Sequence, residues 1–380
     1  MNEPKLRFKA DDGSQFPDWE ECTINDIFKF FNGKAHENII CEDGKYIVVN
    51  SKFISTDGMV KKYTDKMIFP LKKNDIVMVM SDVPNGKAMS KCFLIDKDDK
   101  YTLNQRICCL RTKENSIFFI NQISRNKYFL KFDDGIKQTN LRKNDVLSCP
   151  VFRPCLAEQQ KIAEFLSTID TVIEKQKETV SAWEERKKGV MQKLFSQEVR
   201  FKTDDGSEFP EWEEKKLGDV ADVKVGEKPT LVSDNAAYEY VNAGTTNSGY
   251  VDSYNCDGDT VTTPSRGQGG IGYVGYQKHE FWLGPLCYKI KSNKDDVLTK
   301  FMYYALSFDS KKIVDLKKVG TIPAINRADL IELYMSFPCI AEQQKIADCL
   351  SSLDEVIEKQ KAILAAWEEL KKGLLQQMFV

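Results

Sequence analysis

Two stretches of the chain carry apolar residues in alternating steps of four and three. Ile162, Leu166, Ile169, Ile173, Val180, Trp183, Val190 and Leu194 form one stripe, and Ile346, Leu350, Leu353, Ile357, Leu364, Trp367, Leu374 and Met378 form the other. This spacing is a heptad seam and predicts helices built to pair. Pro154 and Pro338 stand just ahead, where proline ends an extended segment and cannot carry a helix through itself. Each stretch predicts a helix of about 38 residues, roughly 57 Å long at 1.5 Å per residue. An apolar stripe of that length needs cover, and the obvious partner is the other copy.

The two stretches are one sequence written twice. Residues 154–195 align without a gap on residues 338–379, with 27 of 42 positions identical. Self-similarity at a long period means two copies of one structural unit. The seam is interrupted at the same places in both copies, by Gln176 and Lys187 and by Gln360 and Lys371. Polar residues on a seam lower stability and fix register. Centred antiparallel pairing would set Gln176 against Gln360 on a pseudo-two-fold axis; alternatively both amides lie at the edge of the seam. A second apolar file runs beside it through Phe165 and Val172, then Cys349, Val356, Ile363 and Leu370, wider than two paired helices require.

A shorter repeat precedes each helix at a distance: RFKADDGSQFPDWEE at residues 7–21 returns as RFKTDDGSEFPEWEE at residues 200–214, with 12 of 15 positions identical. The chain is thus a tandem duplication of lead-in, globular block and long helix, in which the frame is nearly constant and the blocks differ. In the first block TINDIFKFF predicts a short helix with Thr23 as N-cap, and KYIVVN, IVMVMS and RICCLR predict buried strands between DG and NG turns. The second block has strand patterns at YEYVNAG and FWLGPLCYKI and a helix at residues 298–306. Both blocks read as α+β.

Composition narrows the function. Charged residues make up 29% of the 380, yet the formal net charge is −2, so nucleic acid would have to be met by local basic loops or within a larger complex. No apolar run approaches a membrane span, and the N-terminus has no apolar leader pattern, so a cytoplasmic protein without membrane contact is expected. Eleven cysteines without a CxxC pair read as reduced core residues rather than disulfides or zinc ligands, and two histidines, His36 and His279, leave little for a metal site.

The stretch TTPSRGQGGIGYVGY at residues 262–276 lacks the GK[ST] of a P-loop and reads as a glycine-rich hairpin. Its bare backbone would let a DNA backbone approach while Arg266 and Gln268 reach the bases, with Ser265 beside them a further DNA-binding candidate. The matching turn of the first block, VPNGKAMSK, offers Asn85, Lys87 and Lys91. Arg106, Arg142, Lys278 and Arg327 complete the set of candidate DNA-binding residues.

Over essentially its full length the sequence resembles the specificity subunit of type I restriction-modification systems. The resemblance rests on the duplicated P-x-x-x-EQ-x-x-I at residues 154–162 and 338–346, on WEEKKLGDVADV after Trp212, and on GTIPAINRADL at residues 320–330. The first block keeps only Leu141 and Asp145 of that last pattern, aligned with Ile325 and Asp329. The resemblance implies an α+β fold with two mixed α/β target-recognition domains, each reading half of a bipartite asymmetric DNA site. They would be joined by two long helices in an antiparallel coiled coil with pseudo-two-fold symmetry. The expected boundaries are 1–153 and 198–337 for the recognition domains, and 154–197 and 338–380 for the helices. Helix pairing would rest on Ile162, Leu166, Ile169, Ile173, Gln176 and Trp183 against Ile346, Leu350, Leu353, Ile357, Gln360 and Trp367. Also implied are two methyltransferase subunits, and restriction subunits that translocate and cut double-stranded DNA. S-adenosylmethionine, ATP and magnesium are expected on those partners and no cofactor on this chain, which shows no [ND]PP[YF] motif, P-loop or nuclease cluster. A coiled-coil scaffold with two protein-binding heads is the competing reading, since its helices would look the same.

Overall fold

The computed structural model describes residues 4–83, 86–267, 269–318 and 323–379. The chain forms two compact units, residues 1–176 with 363–380, and residues 177–362. Each takes one globular block and a part of each long helix, because each helix part packs on one block.

The long helices are Leu156–Phe195, 40 residues, and Ile340–Met378, 39 residues. Within each unit their segments run antiparallel. In the first, Ile162 and Leu166 share a core with Met378, and Asp170 pairs with Lys371. In the second, Leu194 shares a core with Ile346 and Leu350, while Lys187 and Glu184 pair with Asp354 and Lys361. Ile169, Ile173 and Ile357 are buried, and Leu353, Trp183 and Trp367 are half-buried, as are Gln176 and Gln360. The helices form an antiparallel coiled coil.

The two blocks share a strand order despite their different sequences. The first has a four-stranded antiparallel sheet ordered Lys29–Asn32, Ile107–Arg111, Ile76–Val79, Cys92–Leu94. The second repeats it with Ala221–Val225, Cys287–Ser292, Thr260–Pro264 and Gly275–Gln277. Beside each lies a three-stranded sheet whose middle strand, Tyr46–Val49 or Tyr238–Val241, has one antiparallel and one parallel neighbour. The central strand Ile76–Val79 is buried at every residue, which is why IVMVMS reads as a continuous apolar run rather than an alternating one.

Two differences from the sequence reading have local causes. TINDIFKFF does not stay helical: Ile24–Ile27 makes a single turn and Lys29–Asn32 pairs with Ile107–Arg111, a tertiary ladder that outweighs local propensity. FWLGPLCYKI is not one strand but two, Trp282–Leu283 and Cys287–Ser292. Gly284 turns between them so close to Asn242 that a Cβ there would lie 2.6 Å from its Oδ1. Each block is closed by a two-stranded ladder, Glu20–Thr23 on Pro150–Arg153 and Glu213–Lys216 on Tyr334–Phe337, which leads into the long helix.

Candidate nucleic-acid interface

The repeated P-x-x-x-EQ signature fastens block to helix. Glu158, fully buried, accepts from Arg7 Nε and Nη2 at 3.1 and 2.9 Å and from Trp19 Nε1 at 3.0 Å. In the second copy Glu342 accepts from Arg200 at 3.2 and 2.8 Å and from Trp212 Nε1 at 3.2 Å. The bonds to Glu342 hold the Arg200 guanidinium above its ordinary pKa. The neighbouring glutamines reach the other way. Gln159 donates to Pro154 O and accepts from Asn115 N, at the cap of helix Ser116–Ile123; Gln343 donates to Pro338 O and accepts from Leu298 N, at the cap of helix Thr299–Phe308. The signature is therefore architectural, and the surfaces offered to a ligand lie elsewhere on the blocks.

One backbone crossing recurs in both blocks. In the first, Met80 N donates to Arg106 O at 2.9 Å and Met80 O accepts from Leu141 N at 2.8 Å. In the second, Ser265 N donates to Leu286 O and Ser265 O accepts from Ile325 N, both at 2.9 Å. The register thus pairs Ser81 with Arg266, Arg106 with Leu286, Asn140 with Ala324 and Arg142 with Asn326 as equivalent positions. Bridges Ser81↔Asn140 and Arg266↔Ala324 extend it by one residue each. Arg106 sits in the left-handed region at φ 66°, uncommon for a residue with a Cβ, in the turn that brings its carbonyl to Met80. Around the crossing the two blocks present different side chains: Ser81, Arg106, Asn140 and Arg142 in one, Arg266, Leu286, Ala324 and Asn326 in the other.

The sequence pattern of the type I restriction modification DNA specificity domain matches residues 17–181 and again residues 210–368. The chain belongs to the type I restriction-modification DNA specificity family. It is similar along 97% of its length to the type I restriction enzyme MjaVIII specificity subunit of Methanocaldococcus jannaschii, 26% identical and covering 94% of that protein. In fold it resembles the crystal structure of a type I restriction-modification S subunit from M. genitalium, with TM-score 0.68 at 20% identity over 100% of this chain and 99% of that one. A chain solved in a study of complex assembly and conformational transition of the type I R-M system matches at TM-score 0.51 and 15% identity, over 96% and 98%.

Within this family member the candidate residues are not all brought together. Arg106 and Arg142 are exposed and flank the Met80 crossing; Ser265 is buried within its counterpart, with Arg266 exposed beside it. Lys87 is exposed on the adjoining loop and its carbonyl is held by Arg125 at 2.9 Å. Lys91 and Arg327 have partners in their own blocks: Lys91 Nζ donates to Ser55 O and Asp57, and Arg327 Nε to Val223 O at 2.6 Å. Lys278 is exposed but follows Gln277, the residue paired with Thr260 at the end of the hairpin away from Arg266. Asn85 and Gln268 lie outside the described residues. The glycines of the hairpin serve its turn: Gly267 and Gly272 hold φ of +121° and +92°, and a Cβ on Gly270 would lie 2.2 Å from Ala243 O. Ser81, Gln138 and Asn140, which the sequence does not single out, lie together beside the Met80 crossing. The alignment of Leu141 with Ile325 is the signal that leads to them, since it fixes the register just before it.

Proposed function

We infer that the chain is the non-catalytic subunit that chooses the DNA site of a type I restriction-modification complex. Each block reads one half of a bipartite, asymmetric site in double-stranded DNA, and the coiled coil sets their spacing. The observation that carries this reading is the one crossing built twice with different side chains, which is what reading two different half-sites through one framework needs. Two methyltransferase subunits supply the S-adenosylmethionine chemistry, and restriction subunits supply ATP-driven translocation and cutting with magnesium. The exposed Ile363 and Leu370 support docking of the methyltransferase on the coiled coil. No helix among the described residues is long and apolar enough to cross a membrane, and no cluster of His, Cys, Asp or Glu there could hold a metal ion.

The test is to assemble the chain with its methyltransferase and map methylated bases on random DNA. A bipartite asymmetric site is expected, and Arg266→Ala should relax one position of the second half-site only, because an arginine reads guanine through a bidentate contact. Methylation by the chain alone, or an Arg266→Ala effect on both half-sites, would overturn the reading.

A further inference from the structure

Beside the Met80 crossing three polar side chains form a chain of hydrogen bonds across strands 57 to 59 residues apart in sequence. Gln138 Nε2 donates to Ser81 Oγ at 2.7 Å, and Ser81 Oγ donates to Asn140 Oδ1 at 2.6 Å. The serine is buried and the two amides are exposed. Its hydroxyl accepts from one side and donates to the other, which fixes both amide orientations. The Gln138 backbone carbonyl accepts from Asn140 Nδ2 at 3.4 Å, while its side-chain Oε1 accepts nothing among the described residues and its amide keeps a second N–H. A side-chain amide whose acceptor and donor are both available matches one base edge in the major groove, the N6–H donor and N7 acceptor of adenine. Arg106 and Arg142 are exposed at the same crossing and suit phosphate contacts. The second block has Ala324 in place of Asn140 and Arg266 in place of Ser81, and so cannot build this chain.

We propose that Gln138 is a base-reading residue of the first block, specific for adenine, with Ser81 and Asn140 as positioning residues that hold its amide in place. The proposal rests on the DNA-reading function above and assigns part of its specificity. The first half-site then carries an adenine read by Gln138, whereas the second is read from the neighbouring register position by Arg266.

The experiment uses the full chain assembled with its methyltransferase and duplexes varied one base at a time. Gln138→Ala should cut discrimination at a single position of the first half-site by about 5- to 150-fold, the worth of one bidentate base contact. Gln138→Glu should move the preference there to cytosine, whose N4 donates to a carboxylate. Asn140→Ala should weaken the adenine preference at that same position only. Replacing that adenine by 7-deazaadenine should weaken binding of the wild type and leave Gln138→Ala unaffected. Melting temperature and the second half-site should not move, since Gln138 is exposed. A normal wild-type half-site that Gln138→Ala leaves unchanged, or weakens equally for every base, would overturn this inference alone. A wild-type complex with no half-site preference would overturn it together with the function on which it rests.

Discussion

Lys187 and Asp354 meet across the two long helices of the second unit, Nζ to Oδ1 at 2.5 Å. Tyr304 donates to the other carboxylate oxygen at 2.7 Å, and the Lys187 ammonium lies 5.3 Å from the Tyr304 ring. The equivalent pair of the first unit is Lys371 with Asp170, so the lysines that interrupt each seam act as register pins. Burial separates the two pairs. Lys187 and Asp354 are 18% and 34% exposed, Lys371 and Asp170 26% and 52%. Asp354→Ala leaves a half-buried ammonium and a buried tyrosine hydroxyl short of a partner and should cost about 1–2 kcal/mol. Asp170→Ala should cost less than about 1 kcal/mol, as exposed ion pairs do. Denaturant unfolding of both variants checks the order.

Glu158 gives a sharper case, because it is fully buried and Arg7 is only one-fifth exposed. Glu158→Ala takes the shared carboxylate from the Trp19 N–H and from the Arg7 guanidinium, which keeps the Phe16 and Pro17 carbonyls, and should cost about 1–3 kcal/mol. Glu158→Gln keeps one accepting oxygen and should cost less. Glu342→Ala should match Glu158→Ala. Equal, small losses for all three variants would show that the signature does not hold the blocks to the helices.

Alkaline pH should destabilise the chain from about pH 9 upward. Burial pushes the thiols of Cys108, Cys149 and Cys287 up to about 12, and the hydroxyl of Tyr304 upward too. Between the ordinary thiol value of 9.0 and about 12 the unfolded chain loses those protons and the folded chain keeps them. The unfolded state then binds fewer protons, and stability falls as pH rises through that window. Thermal melts under reducing conditions from pH 7 to 11 should be flat to about 9 and decline beyond it.

How far the sequence speaks depends on the range of the interaction that fixes each feature. The long helices were legible because their period and their repetition are local, and IVMVMS and RICCLR because buried strands need continuous apolar runs. The hairpin at residues 262–276 was legible from its glycines. Gln138 was not, since nothing in DDGIKQTNL distinguishes it from a solvated loop residue until the register sets it beside Ser81. Lys91 and Arg327 looked as available as Arg266, and only folding reveals the acceptors Asp57, Ser55 and Val223 that engage them.

Truncation should turn one chain into a symmetric pair. In the first unit Met378 and Phe379 complete the core, with Phe379 5.4 Å from Phe118 and 6.4 Å from Trp19. In the second, Leu194 and Phe195 fill the corresponding places, with Phe195 5.8 Å from Phe301 and 6.3 Å from Trp212. A fragment of residues 1–197 lacks the residues that close its block but carries the equivalent Leu194 and Phe195. Two copies should close each other, and with methyltransferase should mark an interrupted palindrome of the first half-site. Sedimentation and mapping of methylated bases decide; a monomer, or a fragment that still marks the asymmetric site, would count against the pairing.

The two aromatic plugs also set an order in time. Phe195 is synthesised before the socket of Trp212 and Phe301 that it fills, so the second block can close as soon as it and the start of its helix leave the ribosome. Phe379 is made long after Trp19 and Phe118, and the first block must wait for it with those two rings uncovered. Domains usually mature from the N-terminus during synthesis. Here the first block matures after the second, and until Phe379 emerges its open socket can accept the Phe195 of a neighbouring nascent chain.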